Sequence, residues 1–285
     1  MRAISPGPVF VVPTSKLASW STRLGWFAFV VVMLSIAIVR TGFLEIEPAL
    51  ATFGAALVLA ALAILLAFAS FVAIWRQGFA GIGRAVLGLL LGLLLLAYPG
   101  YFAYRASKLP MINDISTDTT NPPRFAVLAR LRPRGTSDYP GARVAALQAK
   151  AYPDIDGLEY EAPVQLAYRI VLQVVTKRKW HIVDAIAPTA QRPGEIEAVA
   201  TTLIMGFRDD VAVRVSNAAG SARIDVRSAS RYGSTDFGTN AKRIASLLGD
   251  IDDAMNEALT APTRQEPKEE EKPPPKKRPA PKRKR

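Results

Sequence analysis

Hydrophobic positions are distributed very unevenly along the chain. Residues 24–104 are almost solidly apolar, with three runs at about 25–44, 50–75 and 82–104. Each run is close to the roughly 20 residues that a helix needs to cross a hydrocarbon core. Their interiors carry no charge except Arg40, near the end of the first run, where it can reach the interface. Trp20, Trp26, Trp75, Tyr98, Tyr101 and Tyr104 stand near the ends, as interfacial aromatics do. The pattern predicts three membrane-spanning helices. Ala49-Leu50-Ala51 resembles a signal cleavage site, but it lies past the apolar centre of the first run. An uncleaved anchor is therefore expected.

After residue 104 the periodicity changes. Residues 105–123 read as a linker, with Asn121-Pro122-Pro123 favouring extended and turn geometry. Tyr139-Pro140-Gly141 and Tyr152-Pro153-Asp154 mark turns around a short helix near 142–150. Pro163 suits a helix start, and Leu166, Ile170 and Val174 then share a face that ends near Lys177. Strands are predicted at 180–186 and 196–207, followed by a tight reversal at Arg208-Asp209-Asp210. Val211, Val213 and Val215 alternate with polar or small residues, as do Ala222, Ile224 and Val226. Period-two patterns joined by the short Asn217–Gly220 turn predict an antiparallel pair. A last helix, about 240–259, puts Ile244, Leu247, Leu248, Ile251 and Met255 on the face that would cover this pair. The expected fold is membrane-anchored α+β: three transmembrane helices, then a small antiparallel sheet in residues 124–260 with helices packed on one face. From residue 261 the chain is Pro, Lys, Arg and Glu, a composition that cannot bury apolar area and predicts disorder.

Charge sharpens the division. Residues 1–105 hold 7 basic and 2 acidic residues, 106–261 hold 19 and 18, and 262–285 hold 10 and 4. The net +12 thus belongs to the membrane flanks and the tail, while the α+β block is nearly neutral. The basic balance is no sign of a nucleic-acid-binding domain, and nucleic acid becomes a partner only if the C-terminus is cytoplasmic. Arg2, Lys16 and Arg23 precede the first run, Arg40 with Glu45 and Glu47 lies in the next joint, and Arg76 and Arg84 flank the third run. This bias predicts a cytoplasmic N-terminus (residues 1–23), and three crossings then place the α+β domain in the periplasm of a bacterial inner membrane. Arg105 and Lys108 oppose that assignment mildly. The lipid bilayer is the first expected partner. The basic tail adds attraction to anionic lipid or envelope polymers, the plain alternative being a solubilising tail.

Chemistry is sparse. No cysteine is present, which excludes disulfides, thiol nucleophiles and Cys-ligated metal. One histidine excludes a His-rich metal centre and makes any Ser–His–Asp triad depend on His181. No Gly-rich phosphate loop occurs, and no cofactor is implied. No Asp or Glu lies inside a span, so an ion-coupled transport path has no carrier. Gly88 and Gly92 form a G-x-x-x-G on the third run, suited to close helix packing in the bundle or a dimer, or present by chance in a Gly-rich helix. Pro99-Gly100 is expected to bend or end that helix.

The densest polar constellation runs from Arg227 to Asn240, just before the last helix. Arg227, Ser230, Arg231, Asp236 and Asn240 are the ligand-binding candidates, because guanidiniums and a helix N-terminus favour an anion. The structural alternative pairs Asp236 with an arginine and uses Thr239 or Asn240 as a cap. Asp209-Asp210 reads as turn formers or, alternatively, a cation site. Arg214, Arg223 and Arg227 read as an uncovered sheet face, either solvated or meeting a protein partner.

Several stretches carry a family resemblance: Asn113 to Asp118, Asn121-Pro122-Pro123, Trp180 to Val183, Phe207 to Val215, Arg227 to Arg231, and Asp236 to Asn240 with Arg243-Ile244. Together they resemble the uncharacterised domain-of-unknown-function family 1499 over residues 111–259. The resemblance implies a domain boundary and no activity. The sequence thus favours a non-enzymatic membrane protein presenting a binding module for a partner or an anionic ligand. A membrane-anchored hydrolase using Ser230, Asp236 or His181, and a subunit of a membrane assembly, are the alternatives.

Overall fold

A computed structural model describes residues 12–41, 46–132 and 136–260. Three helices open the chain: α1 (Lys16–Thr41), α2 (Ile46–Gln77) and α3 (Ile82–Ala106). All three are long and apolar enough to span a membrane, so this is a multi-pass membrane protein. The small residues predicted for close packing do so within one chain. A Cβ on Gly88 would lie 2.0 Å from Ser21 Oγ of α1, and one on Gly92 would lie 2.5 Å from Ile64 Cγ1 of α2. Ser21 Oγ donates to the Ala63 carbonyl at 2.8 Å, which ties α1 to α2 as well. Pro99 does not end α3, which continues through it to Ala106, close to the predicted end of the third run. Transmembrane helices accommodate such a proline when neighbours serve the freed backbone groups. Residues 14 and 80 pair, which brings the N-terminal flank beside the α2–α3 joint. The extreme N-terminus, the joint at 42–45 and the basic tail fall outside the described residues.

The domain that follows is α+β. Its strands are β1 (Asp114–Ser116), β2 (Leu158–Tyr160), β3 (His181–Ile186), β4 (Gly194–Thr201), β5 (Arg208–Ala218) and β6 (Ser221–Ser230). Their order is β1-β6-β5-β4-β3, all neighbours antiparallel, with β2 also against β6. The helices are α4 (Ala142–Ala151), α5 (Val164–Lys177) and α6 (Thr239–Thr260). Val211, Val213, Val215, Ile224 and Val226 meet Val171 and Val175 of α5 and Ile244, Leu247, Ile251 and Met255 of α6 in one core. Burying the aliphatic stripes of strand and helix together stabilises the layer by about 25 cal/mol per Å² of apolar surface.

Two expectations need correction. The stretch read as a linker contains β1, and the segment beyond it is not free of the sheet. Phe125 and Leu128 lie over Val199, Ala212 and Ala229, so part of the second sheet face is covered. Glu197 holds this cover in place, its carboxylate accepting from the backbone N–H groups of Ala126, Val127 and Leu128. Arg208-Asp209-Asp210 is not a reversal either: it opens β5, and the chain turns earlier, at residues 202–207. Gly206, at a φ of 69°, makes that turn where a side chain would be strained and would meet Arg40. The two aspartates tolerate a buried strand because arginines from elsewhere neutralise them, as follows.

Candidate functional site

The five residues singled out in the sequence form a connected interior. Arg227, 2% exposed, grips Asp114 of β1 through two bonds, Nε to Oδ1 at 3.0 Å and Nη2 to Oδ2 at 2.7 Å. Its guanidinium stacks 4.4 Å from the Phe125 ring and 5.7 Å from that of Tyr139. Burial pushes the Asp114 carboxyl above its ordinary range, with Arg227 pulling against it. Burial and the nearby Asp114 charge push the Tyr139 hydroxyl up to about 12, Arg227 opposing.

Arg231 forks onto Asp210, with Nη2 at 2.7 Å from Oδ1, and Arg132 reaches the other oxygen at 2.8 Å. Arg243 pairs with Asp209. Asp236 pairs with no arginine among the described residues: its oxygens accept from the backbone N–H groups of Gly238 at 2.9 Å and Asn240 at 2.7 Å, which caps the start of α6. Burial nonetheless raises its pKa. Asn240 donates to Ser230 Oγ at 3.0 Å and to the Asn113 carbonyl at 3.0 Å, while its Oδ1 accepts from Ser228. Four of the five side chains are buried, Ser230 being partly exposed, and all five have partners inside the domain.

His181 is exposed on β3 and aligns with Val199, whereas Ser230 lies on β6 opposite Asp209. Three strand spacings, about 14 Å, separate the two strands. His181 is thus out of hydrogen-bond reach of Ser230. Asp209 and Asp210, read also as a cation site, are each engaged by arginine, and no group of three potential metal ligands occurs among the described residues.

The open chemistry lies at the other end of the same strands. The outer-face residues of β5 and β6 here are Arg214, Arg223 and Asp225, as the period-two pattern requires. Asp225 is fully buried. It accepts from Arg214 Nη2 at 2.8 Å, Arg223 Nε at 3.2 Å and Thr117 Oγ1 at 3.2 Å. Arg214 continues to Asp118 at 2.9 Å and to the Asn121 carbonyl at 2.8 Å. Arg223 continues to Glu159 at 2.7 Å and Asp156 at 3.3 Å. Its bond to Glu159 raises its already high pKa against the effect of burial, so it stays a cation. Burial tends to raise the Asp118 pKa, but the Asn121 and Thr120 N–H groups and Arg214 outweigh it and hold the carboxyl below its ordinary range.

Beside this network the domain opens into a groove of about 650 Å³, lined by Asp118, Thr189, Gln191, Arg192, Arg214 and Arg223 among others. A smaller hollow of about 280 Å³ adjoins it, sharing Asn121, Pro193 and Arg214. Arg192 has no ion-pair partner among the described residues. Arg214 and Arg223 were visible in the sequence as outer-face positions. Asp118, the β3–β4 loop and Arg192 were not, because only the folded sheet brings them beside β5.

Comparison with known proteins gives a family match over part of the chain and no activity. Residues 114–251 match the family model described as protein of unknown function (DUF1499). No curated protein matches the chain. Among solved structures, the crystal structure of CalU16 from Micromonospora echinospora is similar at 15% identity, with 35% of this chain and 76% of that chain covered. Its TM-score of 0.22 is too low to carry any inference about fold or function.

Proposed function

We propose that this membrane protein uses its α+β domain as a binding module for an anionic polar ligand, taken in the groove beside Arg192, Arg214 and Arg223 and held outside the cytoplasm. The observation that carries the reading is the groove itself: an open, polar depression with three guanidiniums at its wall. Arg192 brings an uncommitted cation, and Arg214 and Arg223 present donors already oriented by Asp225, so little ordering is needed on binding. Arg227, Arg231, Asp236 and Asn240 then act as the scaffold that holds β6 and α6 in register. The extracytoplasmic side is supported by Lys16, Arg23, Arg76 and Arg84 at the end of the bundle remote from the domain. The basic sequence of 262–285 adds attraction toward anionic lipid or envelope polymers.

The test is a titration of the full chain in lipid nanodiscs with short polyphosphate and with polyglutamate. The wild-type chain binds at least one of them, and the Arg192→Ala/Arg214→Ala double variant binds about tenfold more weakly or worse, the loss of a charged hydrogen bond. Equal binding by a folded double variant, or no binding of either probe by the wild type, overturns the reading.

A further inference from the structure

We propose that the tip of the β4–β5 hairpin is a membrane wedge: Leu203 and Ile204 enter the interfacial layer of the bilayer that α1, α2 and α3 cross. The hairpin loop reads Thr202-Leu203-Ile204-Met205-Gly206-Phe207, four apolar side chains where short loops ordinarily carry polar ones. Met205 is buried, but Leu203 is 86% exposed and Ile204 41% exposed. In water that arrangement leaves the largest aliphatic groups of the loop unpartnered.

Its place in the molecule supplies the partner. Arg40, one residue before the end of α1, donates a hydrogen bond from Nη1 to the Leu203 carbonyl. A Cβ on Gly206 would sit 3.3 Å from Arg40 Cγ. Nearby in the same end of the bundle, the Phe237 ring meets Phe102 of α3 at 5.3 Å. Arg105, in the last turn of α3, lies against Gly238. The domain is therefore seated on the ends of two spans, and the hairpin tip lies at the level where α1 leaves the hydrocarbon. Arg40 marks that level, because an arginine at a span end reaches for the headgroups.

The loop backbone is also prepared for a water-poor layer. Thr202 N–H donates to the Phe207 carbonyl at 2.9 Å, Gly206 N–H to the Thr202 carbonyl at 3.1 Å, and Phe207 N–H to Thr202 Oγ1 at 2.9 Å. With Arg40 serving Leu203, these bonds take up half of the loop's backbone N–H and C=O groups, which lowers the desolvation cost of placing it in the interfacial layer. The wedge fixes how the sheet stands on the membrane. β5 runs about 33 Å from Arg208 to Ala218, so the groove at its far end opens away from the lipid.

The chain has no cysteine, so single labels report cleanly. The full chain carrying Leu203→Cys, Ile204→Cys or, as a remote control, Gln191→Cys is labelled with an environment-sensitive fluorophore in phosphatidylcholine/phosphatidylglycerol vesicles. Labels at 203 and 204 should be quenched by nitroxide-bearing lipid and shielded several-fold from aqueous iodide, with the reverse at 191. Iodide quenching at 203 and 204 equal to that at 191 overturns the wedge. So does efficient disulfide formation between copies at 203, which would assign the tip to a second copy of the chain. Neither result bears on ligand binding in the groove.

Discussion

The two ends of the β5–β6 pair each bury an aspartate on the outer face and surround it with two arginines, yet they come out differently. Near the membrane, Asp210 is enclosed by Arg132 and Arg231, whose side chains are 3% and 7% exposed. At the far end, Asp225 is equally buried, but its partners Arg214 and Arg223 are 15% and 30% exposed and pass on to carboxylates at the surface. The difference lies in the cover. Phe125 and Leu128 and their loop close the first site, whereas at the second Gly157 and Thr117 pack against Asp225 itself and leave its arginines open to the groove. A closed charge cluster acts as a clamp, because removing one member strands the rest without water. An open one keeps donors oriented and available, which is what a binding surface requires.

That contrast is breakable by mutation. The largest effect is expected from Asp210→Ala, which leaves Arg132 and Arg231 buried without a counter-charge. A loss of about 3–5 kcal/mol should follow, read from urea denaturation of the full chain in nanodiscs. Next comes Gly88→Leu in the bundle, where even a Cβ collides with Ser21 and its backbone. Overpacking of this kind costs about 1–3 kcal/mol, and a lowered midpoint for thermal aggregation in detergent would report it. At the open end Glu159→Ala removes only an exposed partner of Arg223, and less than about 1 kcal/mol is expected. A Glu159→Ala effect as large as that of Asp210→Ala would erase the distinction between clamp and surface.

The smallest effect is a pH response at the groove rim. The Asp118 pKa is lowered from its ordinary value of 3.8. Its contribution is therefore complete above pH 3.8 and is lost as pH falls through the depressed folded value. Hydrogen exchange of the Thr120 and Asn121 amides, which donate to Asp118, should accelerate in that acid range beyond its intrinsic rate. Asp118→Asn should remove the acid-dependent step. Asp114 and Asp236 have raised pKa values, so protonation relieves rather than breaks them, and the sign at the closed end is opposite.

Much of the architecture was legible locally. Val211, Val213 and Val215, and the stripe from Ile244 to Met255, announce a strand and a helix because each buries one face at its own period. The second sheet face was not legible. Phe125 and Leu128 belong to a segment with no regular period, and their burial depends on Glu197, some 70 residues away. Arg208-Asp209-Asp210 looked like a turn because three charged residues in a row suit solvent. Only Arg132, 78 residues distant, and Arg231 and Arg243 beyond β5 make it a buried strand. The stretch from Arg227 to Asn240 stood out in the sequence as a dense polar set. Its internal bonding to Asp114 and Asn113 depends on β1, which the turn-rich stretch before Pro122 concealed.

The proposed orientation puts the polar groove in the extracytoplasmic space and the opposite end of the bundle in the cytoplasm. Single cysteines at Gln191, on the groove wall, and at Gln77, the last residue of α2, report on the two sides. In spheroplasts treated with a membrane-impermeant maleimide, Gln191→Cys should be labelled at once and Gln77→Cys only after lysis. Labelling of Gln77→Cys in intact spheroplasts, with Gln191→Cys protected until lysis, would contradict the account and move the groove and its ligand into the cytoplasm.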